Sequence, residues 1–203
     1  MRRYFDKLNR DNIVSIDEFI SAKECKLILQ ELRFVYWQAS TVVKRKQRQT
    51  YSALIEESRK SLTSHQEWFS DELNAKLVEI ETRVCEWLSI SNGNLEHWQA
   101  TRYGKGDSFD YHLDSGLWKK SESGERVRTI LLFLNTPLKG GATHFRALNR
   151  KIKAKTGRLL VWNNLLPNGN CNYATIHSGQ AVIAGNKTTL VTWERQLTHR
   201  RIT

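Results

Sequence analysis

Proline and cysteine are scarce in this sequence, and no long hydrophobic run is present. Only 2 prolines and 11 glycines occur in 203 residues, which excludes collagen-like and proline-rich disordered proteins. The 3 cysteines, Cys25, Cys85 and Cys171, are odd in number and far apart, so they suit neither a disulfide framework nor a four-cysteine zinc site. We therefore expect a reducing compartment, the cytoplasm. No run of about 18 apolar residues occurs, and the first ten residues lack the apolar stretch of a secretory signal, so we expect no membrane partner.

The charge is strongly positive and unevenly distributed. The formal net charge is +11, with 39% hydrophobic and 10% aromatic residues, a composition typical of a core-forming globular protein. Residues 151–203 contain Glu194 as their single acidic residue, among many lysines and arginines. This distribution fits an anionic ligand or partner, of which a nucleic acid is one candidate, and it fits equally a solvated basic surface.

Two helices are predicted in the first half of the chain. Ser21 is followed three residues later by a glutamate, a capping box that predicts a helix reaching about Trp37. Ser64 has the same relation to a second glutamate. After it, apolar residues recur every three or four positions over 69–87, which predicts a helix with one buried face.

Short apolar runs between turn residues replace this pattern after residue 95. Together with a short opening strand at 13–16 they predict a double-sheet jelly roll, the double-stranded β-helix, in a mostly β protein with flanking N-terminal helices. We expect one compact domain, in which residues 1–94 pack on a core formed by 95–203. The expected strands lie at 95–103, 109–114, 126–135, 142–147, 158–163, 174–177, 181–184 and 188–195.

A His-x-Asp pair at the end of one predicted strand carries the strongest chemical signal. His112 and Asp114 are two residues apart and therefore point to the same face of a strand, and His177 ends a later strand. Two histidines and one carboxylate form the facial triad of non-haem Fe(II) oxygenases. Zinc is the competing metal, for which His144 or Cys171 would supply a further ligand.

Further motifs stand at fixed distances from this triad. Lys187 follows His177 by ten residues and Trp193 follows the lysine by six, while Tyr103 begins a Tyr-Gly-x-Gly segment nine residues before the first histidine. Residues 140–143 read Gly-Gly-Ala-Thr. In these features the chain resembles the Fe(II)- and 2-oxoglutarate-dependent dioxygenases, in particular their prolyl 4-hydroxylase-like branch.

The resemblance spans about residues 95–195 and implies a set of roles. Fe(II) would be held by the triad, and O2 and 2-oxoglutarate would be consumed, with ascorbate as an accessory reductant. Lys187 would bind the distal carboxylate of 2-oxoglutarate together with the hydroxyls of Tyr103 and Thr143. A lysine ammonium is a compact point charge that suits this task. Trp193 matches an aromatic position that lines the site.

The substrate side departs from the family pattern. Phe109 stands where the family commonly has a tyrosine in contact with substrate, and Ala181 replaces a usual proline. Between the two predicted helices, a basic stretch that includes Arg48 occupies the place of the family's mobile loop over the substrate. We expect Phe109, Trp193 and Arg48 to belong to the substrate pocket.

The leading hypothesis is a hydroxylase that acts on an aliphatic carbon of an amino acid, free or within a peptide. The first alternative is an oxidative demethylase of nucleic acid from the same superfamily, suggested by the positive charge; such enzymes usually bind 2-oxoglutarate through arginine, and Lys187 argues against it. The second is a jelly-roll protein that binds metal or 2-oxoglutarate without catalysis. Neither the regiochemistry nor the oligomeric state can be predicted from the sequence.

Overall fold

The computed structural model describes residues 2–45 and 51–200. Its three α-helices are α1 (Arg2–Asp11), α2 (Ala22–Glu31) and α3 (Asp71–Leu88). Helix α1 is not predicted by the sequence, because its apolar face is narrow and rests mainly on Phe5 and the fully buried Leu8. Among the described residues, none of the helices combines the length and apolarity that crossing a membrane requires.

Helix α2 begins at the predicted capping box but is shorter than expected. The Ser21 Oγ accepts a hydrogen bond from the Glu24 backbone N–H at 3.1 Å, and the Glu24 carboxylate accepts one from the Ser21 N–H at 2.7 Å. The helix ends at Glu31 rather than near Trp37. The Trp37 indole N–H donates to the carbonyl oxygen of Leu32 at 3.1 Å, so this tryptophan covers the end of the helix from outside it.

The predicted start of the next helix at Ser64 is wrong. Ser64 lies in strand β5 (Leu62–His65) and pairs with Ala100 of strand β6 (Gln99–Tyr103), while the N-cap of α3 is Ser70, whose Oγ accepts from the Leu73 N–H at 3.1 Å. Tertiary pairing with β6 therefore overrides the local capping signal.

The described residues contain fifteen strands, of which eleven form two principal antiparallel sheets and four form two separate pairs, β3 with β4 and β9 with β14. A seven-stranded sheet has the order β1-β12-β8-β15-β6-β5-β2, and a four-stranded sheet has the order β11-β10-β13-β7. The fold is thus the predicted double-stranded β-helix with flanking helices, and three strands from the first 94 residues join the large sheet. The remaining strands are β1 (Ile13–Ile16), β2 (Gln38–Ala39), β3 (Val42–Arg45), β4 (Tyr51–Leu54), β7 (Phe109–His112), β8 (Arg126–Phe133), β9 (Lys139–Gly140), β10 (Thr143–Phe145), β11 (Arg150–Ile152), β12 (Leu159–Asn163), β13 (His177–Gly179), β14 (Val182–Ala184) and β15 (Lys187–Arg195).

The two faces of the large sheet have different tasks. One face carries Ile130, Leu132 and Leu190, which pack with Leu77 and Ile80 of α3 in the main hydrophobic core. Each such fully buried side chain contributes about 1.5–3 kcal/mol through apolar burial. This core makes the sheet a rigid support, and its opposite face, toward the four-stranded sheet, is left to build a cavity.

Candidate metal and cosubstrate site

Two paired strands and the residue after them bring the predicted triad together. Strands β7 and β13 are antiparallel, with His112 directly opposite His177, and Asp114 follows two residues after the first histidine. The His112 Nε2 lies 3.6 Å from Asp114 Oδ1, and the His177 Nε2 lies 3.8 Å from Asp114 Oδ2. One candidate ligand atom from each residue lies within 4.8 Å of the others.

Backbone carbonyls set the tautomer of both imidazoles. The His112 Nδ1 donates to the Asp110 carbonyl oxygen at 2.7 Å, and the His177 Nδ1 donates to the Thr175 carbonyl oxygen at 3.0 Å. A carbonyl oxygen only accepts, so each Nδ1 carries the proton and each Nε2 lone pair is directed to the shared space. Such outer hydrogen bonds are typical of metal-binding histidines.

Neither His144 nor Cys171, the extra ligands considered for a zinc site, belongs to the triad cluster. The His144 Nδ1 contacts the Tyr111 hydroxyl at 2.5 Å, and the Cys171 sulfur lies near Gly116. Neither joins the only cluster of metal-ligating side chains within the described residues. Two imidazoles and one carboxylate are the donor set of a facial triad, which fits Fe(II).

The protonation states also fit a metal site. Burial and the neighbouring His177 lower the pKa of the His112 imidazole. Burial alone would raise the pKa of Asp114, but the two histidines, Arg126 and a hydrogen bond from Thr129 lower it below its ordinary value. At neutral pH an ionised carboxylate therefore faces a neutral imidazole, the states in which both bind metals.

Lys187 is a buried ammonium that faces the same cavity. It is 3% exposed, pairs with Tyr103 across β15 and β6, and places its Nζ 4.0 Å from the centre of the tyrosine ring. Among the described residues no carboxylate lies within ion-pair distance of this Nζ, and burial lowers the pKa of Lys187 to about 8. An unpaired buried cation calls for an anionic group, and a ligand carboxylate would supply it.

Small residues leave room around this ammonium. A side-chain carbon on Gly179 would lie 3.7 Å from the lysine Nζ, and one on Gly141 would lie 3.4 Å from the lysine Cδ. Gly141 also has a φ of +70°, a conformation that other residues rarely adopt. Thr143, buried on β10, also lines the cavity.

The cavity has a volume of about 250 Å³ and is lined by Lys187, the triad and Trp193 among others. Two of its walls contain indole N–H groups, those of Trp162 and Trp193, that are buried without a hydrogen-bond partner among the described residues. Buried donors are normally paired, so these N–H groups fit acceptor atoms of a bound ligand. Val42 and Val43 of β3 also line the cavity.

Of the three residues predicted to line the substrate pocket, two can be located in the structure. The Phe109 ring stacks on the His112 imidazole with centroids 3.7 Å apart and an angle of 18° between the planes. Trp193 lines the cavity, whereas Arg48 lies outside the described residues. Arg59 was not predicted as a site residue, and its guanidinium carbon lies 4.7 Å from the centre of the Phe109 ring.

A cationic and aromatic wall was also missed. The Arg126 guanidinium carbon lies 3.7 Å from the centre of the Trp193 ring and 4.8 Å from that of Trp118. Glu96 accepts two hydrogen bonds of 2.7 Å from Arg126 and one of 2.9 Å from Arg195. The sequence signal for this wall was Arg126 itself, a charged side chain at the start of a strand whose second half is apolar.

Comparisons with known proteins agree with this geometry. The family model described as the 2OG-Fe(II) oxygenase superfamily matches residues 98–195. The chain is 29% identical over 126 residues to prolyl 4-hydroxylase subunit alpha-1 of Gallus gallus, covering 59% of this chain and 24% of the relative. It is 28% identical over 153 residues to a putative prolyl 4-hydroxylase of Acanthamoeba polyphaga mimivirus, covering 71% of this chain and 63% of the relative. The chain thus spans less than two thirds of the length of either relative.

Solved structures share the fold. The viral collagen prolyl hydroxylase of Paramecium Bursaria Chlorella virus-1, in complex with 2OG, superposes with a TM-score of 0.68 at 22% identity, covering 92% of this chain and 97% of that one. A Trichoplax adhaerens prolyl hydroxylase, in complex with a fragment of the hypoxia inducible factor oxygen degradation domain, also gives a TM-score of 0.68, at 16% identity, covering 96% and 88% of the two chains.

Proposed function

With residues 98–195 belonging to the 2OG-Fe(II) oxygenase superfamily, we propose that this chain is a prolyl 4-hydroxylase-like enzyme that hydroxylates proline within a peptide. The observation that carries the proposal is one cavity that is lined both by the triad and by Lys187, a buried ammonium with no carboxylate partner among the described residues. A metal site alone would fit many proteins, whereas a metal site next to a buried carboxylate-binding cation fits this cosubstrate.

Fe(II), 2-oxoglutarate and O2 are the cofactor and cosubstrates of the superfamily. When bound, they supply the oxidation: O2 and 2-oxoglutarate are consumed, succinate and CO2 are released, and one oxygen atom enters a C–H bond of the substrate. The protein supplies binding, orientation and exclusion of competing reactions.

The residues of this chain have distinct tasks in that scheme. His112, Asp114 and His177 hold the metal. Lys187 binds the distal carboxylate of 2-oxoglutarate, and the Tyr103 and Thr143 hydroxyls donate further hydrogen bonds to it. This ion pair neutralises the buried charge of Lys187 and fixes the orientation in which 2-oxoglutarate binds.

Peptidyl proline is favoured as the substrate because the named relatives are prolyl hydroxylases, one of them solved with a peptide fragment. The Trp193 ring and the Arg126 guanidinium form a flat wall at the far end of the cavity, suited to the face of a pyrrolidine ring and a backbone carbonyl. Nucleic-acid demethylation is not favoured, since the cosubstrate cation is lysine and the relatives are protein hydroxylases.

The test is an assay with Fe(II), 2-oxoglutarate, ascorbate and a panel of substrates. The panel contains collagen-like Pro-Pro-Gly repeats, other proline-containing peptides, the same peptides with alanine in place of proline, and free proline. We expect succinate and a hydroxylated prolyl residue only with proline-containing peptides, and neither with Asp114→Ala. Hydroxylation of free proline alone would support the free amino acid alternative and contradict peptidyl specificity.

We also propose that the enzyme works in the reducing cytoplasm. Cys25, Cys85 and Cys171 are free thiols, and burial raises the pKa of Cys25 and Cys85 to about 11, which keeps both as unreactive thiols. Cell fractionation followed by detection of the chain tests this location; recovery from an oxidising compartment would contradict it.

A further inference from the structure

Thr129 and Asn164 stand directly behind the metal-binding carboxylate. The Thr129 hydroxyl lies 2.6 Å from Asp114 Oδ2, and the Asn164 side-chain nitrogen lies 2.8 Å from the same hydroxyl oxygen. Both side chains belong to residues that are almost completely buried, at 1% and 2% exposed. Neither is one of the motif residues recognised in the sequence.

The direction of these hydrogen bonds follows from the donors available. A threonine hydroxyl has one proton, and the Asn164 amide nitrogen only donates. Because Asn164 donates to the hydroxyl oxygen, the single Thr129 proton is left for the Asp114 carboxylate. A bond from a hydroxyl to an ionised carboxylate is short and stronger than a neutral one, in keeping with the 2.6 Å distance.

The backbone around Asn164 holds this relay in place. The Asn164 N–H donates to the Val127 carbonyl oxygen at 2.8 Å, on the strand that also carries Thr129. The Asn164 carbonyl oxygen accepts from the Ser115 hydroxyl at 3.0 Å, and Ser115 directly follows Asp114 in the chain. The asparagine therefore links the strand behind the carboxylate to the segment that bears it.

We propose that Thr129 is a positioning residue, oriented by Asn164, that occupies Oδ2 of Asp114 and thereby leaves Oδ1 as the metal ligand. This inference rests on the proposed function. Holding the carboxylate to a single metal-bound oxygen keeps the remaining metal positions for 2-oxoglutarate and O2. Thr129 and Asn164 touch neither cosubstrate nor substrate, and they act through Asp114.

The experiment compares Thr129→Val, which removes the hydroxyl at nearly constant shape, with Thr129→Ser, which keeps it. Thr188→Val is the matched control, because Thr188 is an equally buried threonine on the neighbouring strand β15 that is not among the residues lining the cavity. The first readout is Mn(II) affinity of the metal-free protein, titrated without 2-oxoglutarate or peptide. The second is the ratio of succinate to hydroxylated product, and thermal unfolding monitors the fold of each variant.

We expect Thr129→Val to weaken Mn(II) binding about 10–100-fold, the usual effect of removing an outer hydrogen bond to a metal ligand. Thr129→Ser and Thr188→Val should stay within about threefold of the wild type, and excess succinate over product should appear only in Thr129→Val. An affinity loss below about threefold in Thr129→Val, or an equal loss in Thr188→Val, would overturn the proposal. If the wild type binds Mn(II) tightly yet hydroxylates no prolyl peptide, the proposed function fails while this inference stands.

Discussion

Replacing Lys187 by methionine should make the ligand-free protein more stable. The side chain is 3% exposed, and no carboxylate of the described residues pairs with its ammonium. The ammonium Nζ instead lies 4.0 Å from the centre of the Tyr103 ring. Methionine has nearly the same length and volume and carries no charge, so Lys187→Met removes the desolvation of the ammonium while retaining the packing of the chain.

The size of the effect follows from the pKa of this lysine. Burial lowers that pKa from 10.5 to about 8, which corresponds to about 3 kcal/mol of destabilisation, because a tenfold change in proton affinity is worth about 1.4 kcal/mol. Below pH 8 both folded and unfolded chains hold the proton, so the full penalty acts. Between pH 8 and 10.5 the folded chain releases its proton first, so wild-type stability rises with pH and the gap to the variant closes.

The assay is denaturant unfolding of both proteins at pH 7 and at about pH 9.5. The expected stability difference is about 3 kcal/mol at the lower pH and about 1 kcal/mol at the higher one. Lys153→Met is the control, since Lys153 is exposed and its replacement should change stability by less than about 0.5 kcal/mol at either pH. Adding 2-oxoglutarate with Mn(II) should stabilise the wild type more than the variant. A variant that is no more stable at pH 7, or a gap independent of pH, would refute the reasoning.

Three further changes give distinct expectations. Ser70→Ala should lower stability by about 1 kcal/mol through loss of the α3 N-cap. Ser64→Ala should not, because the buried Ser64 hydroxyl has no hydrogen-bond partner within the described part of the chain. Chemical unfolding compares the two variants, and the reverse order would contradict the assignment of the cap. Glu96→Gln should cost about 3–5 kcal/mol at pH 7 by leaving Arg126 buried with a weakened partner. Burial alone would raise the Glu96 pKa, but its arginine partners lower it below its ordinary value. The wild type should therefore lose the stability contributed by this ion pair as the pH falls below 4.5. A stability difference between wild type and Glu96→Gln that does not change with pH would argue against the ion pair. Trp193→Phe removes the indole N–H and should raise the KM for the peptide roughly fivefold, which corresponds to the loss of one hydrogen bond of about 1 kcal/mol. The KM for 2-oxoglutarate should stay unchanged. Steady-state kinetics measures both constants, and equal increases in the two would contradict a contact between Trp193 and the peptide.

Much of the β architecture could be predicted because its signals are local. The strand expected at 126–135 is observed at Arg126–Phe133, and the one expected at 188–195 is observed at Lys187–Arg195. Apolar runs bounded by turn residues carry that information in the chain itself. Helix starts were less reliable: the capping box at Ser21 is real, but the one at Ser64 lies in a strand, because pairing with β6 is a long-range contact that a local motif does not contain.

The residues of the candidate site likewise fall into those that the sequence could predict and those that it could not. The triad and Lys187 could be assigned from spacing, since strand alternation and family resemblance both depend on sequence distance. Thr129 and Asn164 could not, because 35 residues separate them and only the pairing of β8 with β12 places one behind the other. Arg126 was hidden for a similar reason, since its partner Glu96 lies 30 residues earlier, in the loop before β6.

The most direct test of the central claim uses isotope-labelled O2 with a proline-containing peptide, Fe(II) and unlabelled 2-oxoglutarate. We expect labelled oxygen in equal amounts in the new hydroxyl group on proline and in succinate, and we expect both signals to vanish in Asp114→Ala. Label in succinate without label on the peptide would contradict prolyl hydroxylation, and label in neither product would contradict the assignment of this cavity as a 2-oxoglutarate oxygenase site.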